Sequence, residues 1–522
     1  MRWMKQWLKR FALILFAAFL LVGCTSETGS NQVPPPSKTI TAYWDEAFLE
    51  SLPPVTLKMY LIGNKSKDFD LVYERLNQML RNDIHAEVEV SFMGWGDYLQ
   101  KYPLLFASGE EFDLVYTSNW ALYNSQAIRG GFFEISKEFL NRYAPQTALT
   151  IFPEAWEQAK VNGKVYMLPM NYREFNEYVY LVRGDLMDKY GIAAIHGQDD
   201  FERFLEAVAE NEEDMIPLDI GSDFDFSSLL RFEVLAPNNL IYVEPQTLNH
   251  FYCLSDTSGK VINLFEMPEF LDFAKKMRDW NQRGFWSKSA LVNKVSAKDS
   301  FVMGRSASAV LNLNTANSLY ISVNVNHPEW KVRVYDGMNG KGISMKPYIQ
   351  NGMGISANSR NPERAMMFMD LVRNDQQYAD LVTYGLEGIH YELTEEGKVR
   401  PLARSIDYPI DDNCNWGWRN EALMREIEGG IPNYDTIRSA WEEAALNNPI
   451  QSFSFDDSSV KNEIAAVSNL WNVDYKVIVM GFSSDPEADM AALAEKYRIS
   501  GNDRIIQEQE KQIQDYLNPD TE

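Results

Sequence analysis

The stretch VTLKMYLIGN, residues 55–64, alternates or runs apolar and ends at a glycine–asparagine pair, so it predicts a strand and its turn. Downstream, Val72, Leu76 and Leu80 share one face of an amphipathic helix. EVEVSF (87–92) alternates like a half-exposed strand, and FDLVY (112–116) is typical of a buried one. Strands that alternate with helices over residues 55–116 predict an α/β lobe with a largely parallel sheet.

Strand-like segments return twice further along the chain. GKVYMLP and EYVYLV precede a mostly helical region at 185–293, and ASAVL, WKVRVY and GMGIS follow it. Two more helices are predicted at 362–373 and 376–383. Strands that return this late indicate that one lobe is built from two separated pieces of chain, so the polypeptide crosses between lobes more than once.

The first residues have the layout of a secretory signal peptide, with Arg2, Lys5, Lys9 and Arg10 before an apolar run at 11–22. That run is too short to cross a membrane as a helix. The tetrad LVGC, which ends at Cys24, resembles the lipobox of bacterial lipoproteins, whose cysteine receives lipid chains. We therefore expect residues 1–23 to be removed, Cys24 to be lipidated, and the proline-rich segment 24–40 to act as a tether.

Charge and composition exclude several classes of partner and site. The formal net charge is −25, and removal of the four basic residues of the leader takes it to −29, which disfavours nucleic acid as a partner. The histidines show no spacing that suits zinc, and no phosphate loop, dinucleotide fingerprint or G-x-S-x-G motif is present, so no metal, no cofactor and no catalytic residue is predicted. Cys253 and Cys414 could pair outside the cell or remain reduced, and the sequence leaves both possibilities open.

Several long segments resemble the extracellular solute-binding protein family 1, the carbohydrate receptors of ABC importers. They are FASGEEFDLVYTSNW, the junction at 162–191, FVMGRSASAVLN and the run RNPERAMMFMDLVRNDQQYADLVTYGLEGIHYEL. The last run, and the helix–VDYKVIVMGF–helix pattern after residue 470, are similar to a lipoprotein subgroup with an extra C-terminal domain. The resemblance implies a two-lobed periplasmic-binding-protein-like (type II) α/β fold whose hinge closes the lobes over a bound solute.

On that resemblance we expect lobe 1 to comprise 41–172 and 314–357, and lobe 2 to comprise 173–313 and 358–450. A small α+β extension is expected at 451–522. The expected partners are ABC importer permease subunits, and the expected location is the outer face of the cell membrane.

Candidate ligand-binding residues follow from the rule that ligands lie beyond the carboxyl ends of parallel strands. Each has a structural alternative: a plain turn, a hinge, a side-chain cap, or burial in the core. Two further groups, one in YGLEGIHY and one in the cluster NWGWRN, are placed by analogy with the family. The candidates are Asn64, Ser118, Asn119, Trp120, Asn171, Tyr172, Arg173, Glu174, Asn312, Asn314, Glu387, His390, Trp416, Trp418 and Arg419.

A sugar-type ligand is the favoured interpretation. Aromatic residues make up 13% of the chain, and many follow predicted strands, where their rings could stack on the C–H faces of a pyranose while polar groups pair with its hydroxyls. Arg419 could bind a carboxylate if the ligand is acidic. The leading hypothesis is an importer receptor for an oligosaccharide. A receptor for peptides or another polar solute is one alternative, and a surface glycan hydrolase or lyase is another, because 74 acidic residues could hide a catalytic pair.

Overall fold

A computed structural model describes residues 44–175, 177–221 and 227–518, with the side chains of Leu99 and Ser227 left aside. The predicted signal peptide, the predicted lipidation site at Cys24 and the tether lie outside these ranges. The strands are β1 (Val55–Ile62), β2 (Ala86–Met93), β3 (Leu114–Thr117), β4 (Lys160–Val161), β5 (Lys164–Val165), β6 (Met167–Pro169), β7 (Val179–Val182), β8 (Leu240–Tyr242), β9 (His250–Cys253), β10 (Val261–Asn263), β11 (Ser308–Leu311), β12 (Arg333–Asp336), β13 (Gly352–Ile355), β14 (Tyr391–Leu393) and β15 (Val399–Pro401).

The α-helices connect these strands and cover both faces of the sheets. They are α1 (Glu46–Glu50), α2 (Phe69–Ile84), α3 (Tyr98–Ala107), α4 (Tyr123–Ile128), α5 (Lys137–Tyr143), α6 (Pro145–Thr150), α7 (Pro153–Gln158), α8 (Gly184–Tyr190), α9 (Gln198–Asn211), α10 (Ser227–Leu230), α11 (Pro268–Gln282), α12 (Ala297–Val302), α13 (Leu313–Asn326), α14 (Pro362–Asn374), α15 (Gln376–Tyr384), α16 (Tyr434–Ala444), α17 (Lys461–Leu470), α18 (Lys476–Val479), α19 (Pro486–Ile499) and α20 (Asn502–Leu517).

The first lobe is organised around a five-stranded sheet in the order β2-β1-β3-β13-β6. β1 pairs in parallel with β2 and with β3, whereas β13 runs antiparallel to β3 and β6. Every residue of β3 is buried, because the strand is central and helices cover both faces. The predicted amphipathic helix is α2, which places Val72, Leu76 and Leu80 in the core beneath the sheet.

The second lobe contains two three-stranded sheets. One has the order β11-β7-β12 and is antiparallel throughout, with Val182 opposite both Ser308 and Arg333. The other, β10-β9-β8, is a meander within residues 185–293, a region predicted from the sequence to be mostly helical. Its strands are only three or four residues long, so their periodicity gives no signal that distinguishes them from a loop.

Core packing divides the chain differently from the boundaries expected from the sequence. Helices α14 and α15, expected in lobe 2, bury residues such as Met366 and Tyr378 in the core of the first sheet. Strand β12 and helix α13, expected in lobe 1, pack with β7 in the second lobe, where Leu319 and Val334 share a core with Leu181. The physical reason is pairing: β12 hydrogen-bonds along the whole of β7 and carries α13 with it.

The described part of the C-terminal extension, residues 451–518, contains helices and loops but no strand, so it is not mixed α+β. VDYKVIVMGF, with its β-branched residues, forms the end of a π-helical turn and helix α18. Ile478 and Val479 are buried in the same core as Phe273 and Met277 of α11. Tertiary packing thus overrides the strand propensity of valine and isoleucine. The extension completes the core of the second lobe.

Candidate functional site

Three tryptophans come together where strands of the first sheet end. Trp95 follows β2, Trp120 follows β3, and Trp416 lies in a 3₁₀ turn formed by Asn415–Trp418. The Trp95 ring centroid is 6.0 Å from that of Trp120 and 6.0 Å from that of Trp416, with interplanar angles of 22° and 21°. Trp95 is 41% exposed, although a tryptophan usually buries most of its surface. We call these three side chains the tryptophan platform.

Hydrogen bonds and close packing hold the platform in place. Trp120 donates from Nε1 to the carbonyl oxygen of Gln350 at 2.9 Å, and the Tyr98 ring packs against it edge-on at 5.7 Å. Gly417 lets the 3₁₀ turn lie directly on the sheet, since a Cβ there would stand 3.1 Å from the Tyr116 ring and 3.2 Å from the sulfur of Met353. Trp416 is therefore presented from a rigid base.

A cluster of charged side chains lies beside the platform. Arg419 donates from Nη1 to Glu174 at 2.9 Å and from Nη2 to Asp411, and its guanidinium lies 5.1 Å from the Tyr172 ring centroid. Burial alone would lower the pKa of Arg419, but the carboxylates of Asp411 and Glu174 raise it on balance. Arg419 is thus a permanently charged group that two acids of the chain already neutralise.

The charged cluster is connected to the platform through the first sheet. The Tyr116 hydroxyl donates to Oδ1 of Asn351 at 2.6 Å, and the amide nitrogen of Asn351 donates to Glu174 at 3.2 Å. The Tyr116 ring also lies 5.9 Å from Trp120. Two hydrogen bonds and one ring contact therefore connect Glu174 to Trp120 of the platform.

A cavity of about 790 Å³ lies next to the same 3₁₀ turn. Asn415 and Trp418, three residues apart and hence on one face of the turn, line it together with Asn314 and Arg419. Trp416 contacts Trp95 instead. The volume is in the range of small-ligand sites, and its lining combines amides, hydroxyls and aromatic rings.

The loop after β8 brings a carboxylate of the second lobe towards the platform. Burial raises the pKa of Tyr98 well above 10, and the charges of Tyr102 and Glu244 raise it further. Burial also raises the pKa of Glu244 to about 7. The Tyr98 hydroxyl is buried without a hydrogen-bond partner among the described residues. This places a polar group at the edge of an aromatic surface.

Several predicted ligand residues use their side chains to build the fold. Ser118 accepts a hydrogen bond from the backbone of Ala121 at 2.8 Å, and Asn312 caps α13 by accepting one from the backbone of Thr315 at 2.9 Å. Asn171 donates to the carbonyl oxygen of Thr150 and to Asn420. These three side chains stabilise a turn, a helix N-terminus and the chain crossover, respectively.

The predicted pair Glu387 and His390 lies apart from the platform. Nε2 of His390 is 3.1 Å from Asp68, which Arg404 also binds, and its Nδ1 accepts from the backbone of Leu386 at 2.9 Å. His390 is fully buried and Glu387 is exposed. Their arrangement fastens the YGLEGIHY turn to the start of α2.

The remaining candidates lie around the site in different settings. Asn64 is exposed after β1, and Asn119 carries a buried Oδ1 without a partner among the described residues. Arg173 is exposed and pairs with Glu421 at 3.3 Å. The Tyr172 hydroxyl lies 3.3 Å from Asn314, and Trp418 is buried in the core of the first lobe.

Sequence reasoning missed Trp95, the middle ring of the platform. Its signal is the segment MGWGDY at 93–98, where a tryptophan between two glycines directly follows a strand. Cys253 and Cys414, whose pairing the sequence left open, are both free. Within the described ranges no group of three or more histidine, cysteine, aspartate or glutamate side chains is placed to hold a metal ion. None of the helices that the structure describes is long and apolar enough to cross a membrane.

Comparison with known proteins identifies the two parts of the chain. The family model described as "Bacterial extracellular solute-binding protein" matches residues 74–389, and a domain of unknown function, DUF3502, matches 449–518. The chain is similar to a carbohydrate ABC transporter substrate-binding protein of Streptococcus pneumoniae, with 24% identity over 88% of this chain and 91% of the relative. It is also similar to the polygalacturonan/rhamnogalacturonan-binding protein of Bacillus subtilis, with 22% identity over 67% of this chain and 70% of the relative.

A solved structure has the same fold. The N-glycan transport solute-binding protein NgtS of Streptococcus pneumoniae, in complex with Man1GlcNAc, superposes with a TM-score of 0.74 at 23% identity. The match covers 89% of this chain and 100% of that protein. The five-stranded sheet with its core, and the two three-stranded sheets with theirs, therefore correspond to the two lobes of a solute-binding protein.

Proposed function

The chain belongs to the bacterial extracellular solute-binding protein family, and from that premise we propose that it is a receptor that delivers an oligosaccharide to an ABC importer. Membership of the family implies an extracellular or periplasmic location. The relatives that it resembles are binding proteins, and we propose a binding role for this chain as well. Its partners in this proposal are permease subunits, and the lobes close over the ligand.

The tryptophan platform is the observation that carries the proposal. Sugar rings present C–H faces that stack on aromatic rings, and Trp95 leaves 41% of its surface exposed between two further tryptophans. Asn119 and Tyr98 add buried polar atoms without partners among the described residues, which suit the hydroxyl groups of a sugar. Such a combination of apolar faces and convergent polar groups is typical of small-molecule binding sites, and it suits a sugar.

Calorimetric titration of the purified protein against a panel of oligosaccharides and a matched panel of peptides tests this function. We expect at least one oligosaccharide to bind and to quench tryptophan fluorescence, since the platform rings change environment on stacking. Binding of peptides alone would favour the receptor for another polar solute. Steady release of shortened products from a bound oligosaccharide would instead reveal a hydrolase or lyase.

We further propose that the protein is anchored to the membrane through Cys24. The support is the order of basic residues, apolar run and LVGC tetrad in the sequence. Growth with a labelled fatty acid should mark the wild-type protein and leave Cys24→Ser unmarked and released or unprocessed. Equal labelling of both would contradict the anchor.

A further inference from the structure

The hydrogen bonds of Arg419 decide whether the site offers a free positive charge to a ligand. Its guanidinium can bind a carboxylate through two parallel hydrogen bonds, and this would suit a uronic acid. In the structure Glu174 and Asp411 already occupy these donors, and the Arg419 side chain is only 11% exposed. The chain's own acids therefore hold the position that an acidic sugar would need.

Other basic side chains near the site are paired in the same way. Lys298 binds Asp412 at 2.5 Å, next to Asp411. Arg438 and Arg173 share Glu421, each at 3.3 Å, and Arg438 also lies 3.6 Å from Glu442, so two acids balance the two arginines. These pairs leave no net positive charge beside the 3₁₀ turn.

The rim of the platform carries both acidic and basic side chains. Asp97, in the loop that carries Trp95, is paired with Lys101 at 2.9 Å and lies near the exposed Lys294. Glu244 forms no ion pair with any lysine or arginine of the described ranges. Lys294 is thus a basic side chain at this rim without an ion pair in the described ranges, so discrimination against an acidic ligand rests on the occupied donors of Arg419.

We infer that this receptor binds neutral oligosaccharides and discriminates against those that carry uronic acids, an inference that rests on the proposed function. Neutral hydroxyls can accept from and donate to the paired groups without disturbing them. A uronate would have to displace Glu174 or Asp411 from Arg419, or enter without a counter-charge.

The experiment uses the full-length protein and pairs of tetrasaccharides that share one backbone. The pairs are β-1,4-mannotetraose with tetramannuronate, cellotetraose with its C6-oxidised form, and methyl-esterified tetragalacturonate with the free acid. In each pair that binds, we expect the neutral member to bind at least about tenfold more tightly. Equal or tighter binding of the uronate would overturn the inference and leave the proposed function intact. Failure of every member to bind would overturn the proposed function and the inference with it.

Asp411→Asn tests the cause, because it releases one donor edge of Arg419. We expect the ratio of neutral to uronate affinity to fall by about tenfold in this variant. Asp407→Asn, which removes an equal charge from a pair with Lys67, is the matched control and should leave the ratio unchanged. Should Asp411→Asn fail to fold, Glu174→Gln releases the other donor edge. An unchanged ratio in the folded variant, or equal change in the control, would contradict the role of Arg419.

Discussion

Trp416 and Trp418 are two positions apart in one 3₁₀ turn, yet one belongs to the platform and the other to the core. Trp416→Ala or Trp95→Ala should remove a stacking face and lower affinity for a bound oligosaccharide. The stacking contribution is about 0.5–1.5 kcal/mol beyond the buried area, which corresponds to a severalfold to more than tenfold loss. Calorimetric titration measures it.

Trp418→Ala is the matched control, because it deletes the same kind of ring from the core. It should cost about 3–5 kcal/mol in the free energy of unfolding, as large-to-small core substitutions do. Platform variants should lower the melting temperature much less. If Trp416→Ala lowered stability like Trp418→Ala and left affinity intact, the platform would be core and the ligand site would lie elsewhere.

For single residues, the sequence indicates which chemical groups are present but not which way each side chain points. The sequence singles out the cluster NWGWRN as polar and aromatic, but which tryptophan faces outward depends on how the 3₁₀ turn packs on β3 and β13. Arg419 was predicted as a possible partner for an acidic ligand, and only the fold shows that Glu174, far away in sequence, already binds it. The sequence does not single out Trp95, because its two ring partners, Trp120 and Trp416, come from two distant segments.

Helix α20 is fastened to strand β9 through a buried histidine. His250 lies 2.6 Å from the Gln509 amide and 3.0 Å from that of Asn502, and burial lowers its pKa from 6.5 to about 4. The folded protein thus binds this proton less readily than the unfolded chain. The stability contributed by neutral His250 is complete above about pH 6.5 and is lost progressively as the pH falls towards 4, with a total on the order of 3 kcal/mol.

Denaturant unfolding of wild type and His250→Asn between pH 7 and pH 4 checks this dependence. The loss of unfolding free energy on acidification should be smaller in the variant, and the difference between the two proteins isolates His250 from buried acids. The exposed His196 gives a matched control, since His196→Asn changes a histidine outside the core and should follow the wild-type curve. Parallel curves for wild type and His250→Asn would contradict the assignment.

Helices and strands can be predicted from the sequence where their apolar pattern continues over several turns or pleats. Helix α2 and strands β1 to β3 follow from residues 55–116, because their apolar residues recur over several turns or pleats. Strands β8 to β10 are too short for such a signal. VDYKVIVMGF has the composition of a strand, and only its contact with α11 makes it helical.

The second lobe and the C-terminal helices share one core. Val467, Leu493 and Ile505 pack with Phe270 and Trp280 of α11. Deletion of residues 449–518 should therefore unfold the second lobe, whereas the core of the first lobe contains none of the deleted residues. Hydrogen exchange should show α11 losing protection while β1 to β3 keep theirs.

Hydrogen exchange also distinguishes a C-terminal extension that shares the core of the second lobe from one that folds as an independent domain. If 449–518 were a separate unit, α11 would keep its protection after the deletion. A milder truncation that removes only residues after 519 serves as the control, because it leaves α20 in place.

The interleaving of the two cores also constrains the order in which the polypeptide can fold as it is made. Synthesis starts at the N-terminus, so Leu57 is made long before Met366, which shares its core. In the second lobe, Phe201 is likewise made long before Ile505. Neither lobe can close on its early half alone, and the nascent chain must keep large apolar surfaces unburied for most of its length. We therefore expect the nascent chain to be prone to aggregation until its late helices are made.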